Sequence, residues 1–204
     1  MAFTNVPLRR AIPASVSAFL VQYAVVFALF GSRVSSLLRS KTIEPGFGIG
    51  SKSLWPLIEP SPAPWKTVGW MLHSAHGTDL IVRLPTYGMS SEIDLVALAG
   101  GWVRVLYLLP AVVLFATGYL VAQTSRTYGA HGEDYAGASI VLGYALCYFV
   151  SGLVFAVNGD GVGAEPNMFT GLFLGGLFYP VVFGWLGGRV ARLRSKQRTK
   201  TPSA

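Results

Sequence analysis

The sequence predicts an all-α fold: a polytopic membrane protein of four transmembrane helices, with a long external loop containing an amphipathic surface helix. Three observations predict it. The 204 residues are 52% hydrophobic and only 12% charged, against about 25% charged in soluble domains. Four windows, Ala11 to Phe30, Val105 to Gln123, Ala136 to Val157 and Pro166 to Gly188, contain no Asp, Glu, Lys or Arg. Each approaches or exceeds the roughly 20 residues needed to cross a hydrocarbon core about 30 Å thick. Barrel strands would be shorter and would alternate polar with apolar, which these windows do not. The chain therefore reads as one membrane domain, residues 1–204, with spans at about 11–30, 103–123, 136–157 and 166–188.

The first window follows Arg9 and Arg10. It is longer than the apolar core of a secretion signal and ends in "ALFGSR", a poor cleavage site, so it is expected to be retained. Orientation follows from basic residues near the span ends. Arg9 and Arg10 precede the first span, and the tail 189–204 holds Arg189, Arg192, Arg194, Lys196, Arg198 and Lys200 without an acid. The connection "NGDGVGAEP" has two acids and no base. Both termini are expected to be cytoplasmic in a multi-pass protein of the cell membrane, with loop 31–94 outside. The basic tail serves as a topology determinant, with attraction to anionic lipid as the second reading. It lacks the interleaved aromatics of a nucleic-acid surface, so no nucleic-acid partner is expected.

Packing between helices in lipid depends on small residues that let backbones approach. Ser139, Gly143, Cys147 and Ser151 recur every fourth residue of the third span, and the fourth carries the pairs Gly171 with Gly175 and Gly184 with Gly188. These eight positions are the expected helix-packing residues. Cys147 is the sole cysteine, so an intramolecular disulfide is impossible. Pro110 and Pro180 interrupt the second and fourth spans and predict kinks. Their matching surroundings, "LLPAVVLFATGYL" and "FYPVVFGWLGGRV", raise a parallel repeat of two helical hairpins as one reading, with prolines that only relieve packing as the other.

In the long loop, "PWKTVGWMLHSAH" places Trp65, Val68, Met71, Leu72 and Ala75 on one helical face after Pro64, a favoured first helical residue. A surface helix at 64–76, ended by Gly77, follows. Trp65, Trp70 and Trp102 are the expected interfacial anchors. His73, His76 and Asp79 lie three apart and form a candidate metal set, but the glycine break between them favours a solvated polar face, and no cofactor is implied. His131, Glu133 and Asp134 invite the same thought, with Asp134 better placed as a helix cap. In "SSEIDLVALAGGW", Ser91 with Asp94 approximates a capping box, and the helix is expected to bend at Gly100 and Gly101 and enter the bilayer past Arg104.

"PWKTVGWMLHSAH", "YLLPAVV" and "GLFYPVVFGWLGG" together resemble a group of small four-span membrane proteins of halophilic archaea, uncharacterised and sometimes labelled transporter-like. The resemblance covers most of residues 54 to 190. It implies four spans with the tryptophan segment in the first external loop, and carries over no catalytic residue. The net charge of +7 departs from the acidic surfaces usual in such organisms.

An enzyme needs positioned acids, bases, nucleophiles or a metal, and no such set is legible. The residues favour a non-catalytic integral membrane protein, an assembly or interaction component of the cell envelope. Membrane lipids, copies of itself or other membrane proteins are its expected partners. The alternative is a small-solute transporter or channel-like protein with Tyr107, Tyr144, Tyr148 and Tyr179 along a polar path. The lack of charged residues within the spans weighs against it.

Overall fold

The computed structural model describes residues 8–34, 36, 42–43, 52–53, 62–84, 89–124, 136–158 and 163–198. The readings at His131, Glu133 and Asp134 and at the tail beyond residue 198 lie outside them. Among the described residues, four helices are long and apolar enough to cross a membrane: Leu8–Phe30, Gly101–Thr124, Ala136–Phe155 and Met168–Gln197. The last runs well past the apolar window, because the basic segment continues the helix as far as Arg198.

In chain order, α1 (Leu8–Phe30) is followed by the paired strands β1 (Thr42–Ile43) and β2 (Lys52–Ser53), then by α2 (Pro64–Ala75), β3 (Leu80–Leu84) and β4 (Met89–Ile93). The short α3 (Leu95–Ala99), a 3₁₀ stretch Gly101–Tyr107 and α4 (Leu108–Thr124) build the second long helix. After α5 (Val141–Phe155) come β5 (Val157–Asn158) and β6 (Gly163–Pro166). The fourth long helix comprises α6 (Met168–Gly171), a π-helical stretch Leu172–Phe178 and α7 (Tyr179–Arg198).

The strands are the first departure from expectation. β4-β3-β6-β5 form one antiparallel sheet, so the long first connection and the short acidic third connection are hydrogen-bonded together. Val82 pairs with Ser91 on one side and Ala164 on the other. Ser91 is therefore a strand residue rather than a helix cap. Asp94 caps α3 instead, its carboxylate accepting from the backbone N–H of Val96 and Ala97 at 2.9 and 3.0 Å. The helix breaks at Gly100 and Gly101, whose φ of 67° and 56° a side chain would strain. At the other end of the bundle, the Arg10 guanidinium donates to the Thr124 carbonyl and Arg194 donates to the Tyr119 hydroxyl at 3.4 Å. The start of α1 and the ends of α4 and α7 thus converge opposite the sheet.

Both interrupting prolines sit just after a change of helical pitch. Pro110 is the third residue of α4, after the 3₁₀ stretch, and Pro180 the second of α7, after the π stretch. In each case the change of pitch lies in the turn where proline, which has no N–H, interrupts the α-helical ladder.

Glycines set the closest helix approaches. A side chain at Gly118 or Gly137 would overlap the backbone of α7 at Gly184, and one at Gly187 would overlap α4 at Phe115. Gly188 lies against Gly137, while Gly171 and Gly175 cradle the Tyr148 ring. On the third long helix, Gly143 packs against Ser15 and Ile12 of α1. Ser139 is buried and donates to Ala136 O, and Cys147 is half-buried. Gly143→Leu should force α1 away from α5 and lower stability in detergent by about 1–3 kcal/mol or more. Val150→Leu, on the exposed side of α5, should change it little; equal effects on thermal unfolding would reject this packing face.

Large apolar side chains cover the outside of the bundle. Leu20, Val112, Leu142, Leu146, Leu153 and Phe173 are all more than half exposed, a distribution that water would penalise and hydrocarbon would not.

Candidate functional site

The second departure from expectation is α2. It is not a surface helix: every residue from Thr67 to His76 is buried. Trp65 at 40% and Trp102 at 63% remain exposed, but Trp70 is 1% exposed and is no interfacial anchor. The physical reason lies at the end of α5, whose last carbonyls have no helical partner. The Trp70 indole N–H donates to Phe155 O at 2.9 Å, and the Lys66 ammonium to Ala156 O at 2.7 Å, where the helix dipole also favours a cation. Gly69 lets Phe155 approach so closely that a Cβ would overlap its ring. Tyr23 of α1 closes the contact by donating to Trp65 O at 3.0 Å and stacking on Phe155.

So placed, α2 turns its polar edge inward. His73 and His76 are 1% and 0% exposed, and neither faces solvent as a polar surface would require. The His76 Nδ1 lies 2.8 Å from Leu72 O, one turn back. A carbonyl only accepts, so Nδ1 carries a proton and the neutral ring accepts at Nε2 from the Tyr144 hydroxyl, 2.7 Å away. The same hydroxyl lies 3.2 Å from the Gln22 side-chain amide of α1. The Gln22 carbonyl oxygen lies against this hydroxyl while Gln22 Nε2 is buried without a partner; with the phenolic proton committed to His76, the amide is better satisfied turned over, its N–H donating to the Tyr144 oxygen.

His73 takes the other tautomer. Ser151 donates its proton to Tyr148 O at 2.8 Å, so its oxygen accepts from His73 Nε2–H at 2.9 Å, leaving the buried Nδ1 lone pair without a partner. The His73 ring packs on Tyr148 at 4.2 Å between centroids, and the Tyr148 hydroxyl pairs with Thr78 at 2.8 Å. His76 also meets the edge of Tyr179. Burial pushes His73 down to about 3, with His76 beside it adding to the effect. Burial likewise lowers His76 to about 4, partly offset by its bond to Leu72 O. Both rings are neutral near pH 7.

Asp79 does not join them. Gly77, with φ 72°, turns the chain out of the helix, and the Asp79 carbonyl accepts from Asn167 N at 2.8 Å. Its carboxyl is raised by burial, then by Asp94 and Glu92 nearby. Among the described residues no group of three His, Cys, Asp or Glu side chains is placed to hold a metal. What the arrangement can do chemically is hold hydrogen bonds between α1, α2 and α5 and, at Nε2 of His76 and Nδ1 of His73, accept protons.

Sequence reasoning finds the histidines and the tyrosines but not their pairing. Ser151 is read only as a small packing residue and Gln22 goes unremarked. Gln22 is nevertheless a usable signal, since a primary amide in the middle of an apolar span needs a polar partner.

Four long apolar helices, closed at one end by a buried helix and a small sheet and joined inside by a histidine–tyrosine cluster, define a helical-bundle protein with membrane-compatible spans. The chain belongs to a family of unknown function, DUF7978, which it matches over residues 3–195. No curated protein and no solved structure shows significant similarity to it.

Proposed function

We propose that this chain is a multi-pass membrane protein serving as a non-catalytic assembly or interaction component of the cell envelope, with both termini cytoplasmic. The observation that carries the reading is the closure of the bundle by its own loop. The helix α2 fills the interior and bonds to it, and the sheet it supports is left as the surface at that end. β4 is the outer strand of that sheet, and among the described residues it pairs only with β3. An open strand edge is a natural place for another chain to add. The orientation is supported by Arg9, Arg10, Arg189 and Arg194 at the opposite end, which the positive-inside rule assigns to the cytoplasm.

A second reading, passage of protons or a small solute, is favoured by one observation: two histidines lie inside the bundle, which the absence of charged residues from the spans does not suggest. Purified protein reconstituted into vesicles distinguishes the two. Assembly predicts a defined complex, homomeric or with another membrane protein, and no flux above empty vesicles. Selective flux that vanishes on His76→Phe would replace it with transport.

A further inference from the structure

A groove between α1 and α4 runs from the basic end of the bundle along its apolar outer face. Its two parts, of about 570 and 370 Å³, share Ala14 and Leu120. The groove exists because short side chains oppose one another: Ala14, Ser17 and Ala18 on α1, Ala116 and Thr117 on α4. Thr117 bonds back to Val113 O at 2.7 Å, so its hydroxyl is satisfied within its own helix. At the mouth stand Arg9 and Arg10, the latter held in place by its bond to the Thr124 carbonyl.

Length identifies the occupant. From Arg9 to Val21 the groove follows twelve residues of α1, and from Thr124 back to Val112 twelve of α4. At 1.5 Å per residue that is about 18 Å, against about 15 Å for half of a hydrocarbon core. The groove is one leaflet deep, apolar along its length and positive where the headgroups begin.

We propose that it holds one lipid with an anionic headgroup, an acyl chain lying along Ala14, Ala18 and Ala116 and the phosphate meeting Arg9 and Arg10. This rests on reading the four long helices as membrane spans. A second copy of the chain is the less suitable occupant, because it would bring its own Arg9 and Arg10 toward the same positive mouth.

The test uses the full chain in bilayers of equal phosphatidylglycerol and phosphatidylcholine, extracted gently and weighed by native mass spectrometry. One phosphatidylglycerol should be retained per chain. Arg9→Gln with Arg10→Gln should lower its retention by about tenfold or more, as expected for two basic groups near anionic lipid. Ala14→Leu with Ala116→Leu, which fills the groove, should abolish retention of both lipids. Lys196→Gln with Arg198→Gln in the tail should leave it unchanged. Equal retention of the two lipids, indifference to groove filling, or dependence on the tail charges alone would overturn the site. Failure of the unmodified chain to float with vesicles would instead overturn the membrane reading and the lipid site with it.

Discussion

His76→Ala is expected to destabilise the protein by about 3–5 kcal/mol, the range for breaking a buried polar contact and leaving a cavity together. The imidazole is fully buried and joins α2 to both α5 and α1 through Tyr144 and Gln22. Its removal takes from Leu72 O and from the Tyr144 hydroxyl the bond each makes to the ring, leaving the hydroxyl only its longer contact with Gln22. A buried polar group left unsatisfied costs about 1–3 kcal/mol. Tyr144→Phe in the same background removes the hydroxyl that has lost its shorter bond, so the double variant should be less destabilised than the sum of the two singles. Unfolding midpoints of the four proteins in one detergent close the cycle. Strict additivity would mean that the His76 and Tyr144 contact carries no energy.

Acid should loosen the same region. The unfolded histidines titrate near 6.5, whereas the folded ones are held at about 3 and about 4. The native state therefore binds fewer protons than the unfolded state below pH 6.5, and stability is lost as the pH falls through that window. Between pH 7 and pH 5 each histidine should remove about 2 kcal/mol, since each pH unit between the two pKa values is worth about 1.4 kcal/mol. Asp79 acts in the opposite sense, because a raised carboxyl favours the protonated native state. His73→Asn should remove about half of the slope. A pH-independent unfolding midpoint over this interval would show that the histidines are solvated rather than enclosed.

Much of this architecture is legible in the sequence, and the parts that are not share a cause. The long helices can be read because absence of charge over some twenty residues is a local property. The bend at Gly100 and Gly101 can be read for the same reason. The place of α2 cannot, because Val68, Met71, Leu72 and Ala75 form an apolar face that would suit a membrane surface equally well. What decides between the two is the opposite edge, where His73 and His76 find Ser151 and Tyr144 at separations of 78 and 68 residues. A polar residue reads as solvated until its distant partner is known. The sheet is hidden similarly. "LIVRL" has strand composition, but its partner "GAEP" contains glycine and proline and reads as a turn, and only the pairing of Ile81 with Glu165 and Leu80 with Pro166 makes it a strand.

Thiol accessibility at Ser74 tests the enclosure of α2 most directly. Ser74 is fully buried and its hydroxyl accepts from Leu95 N at 3.2 Å, and cysteine is nearly its isostere. In a Cys147→Ala background, in vesicles, a cysteine replacing Ser74 should resist a membrane-impermeant maleimide until the protein is unfolded, while one replacing Arg83, whose side chain is 56% exposed, should react at once. Comparable labelling rates at the two positions in the folded protein would place α2 on the surface and contradict the account.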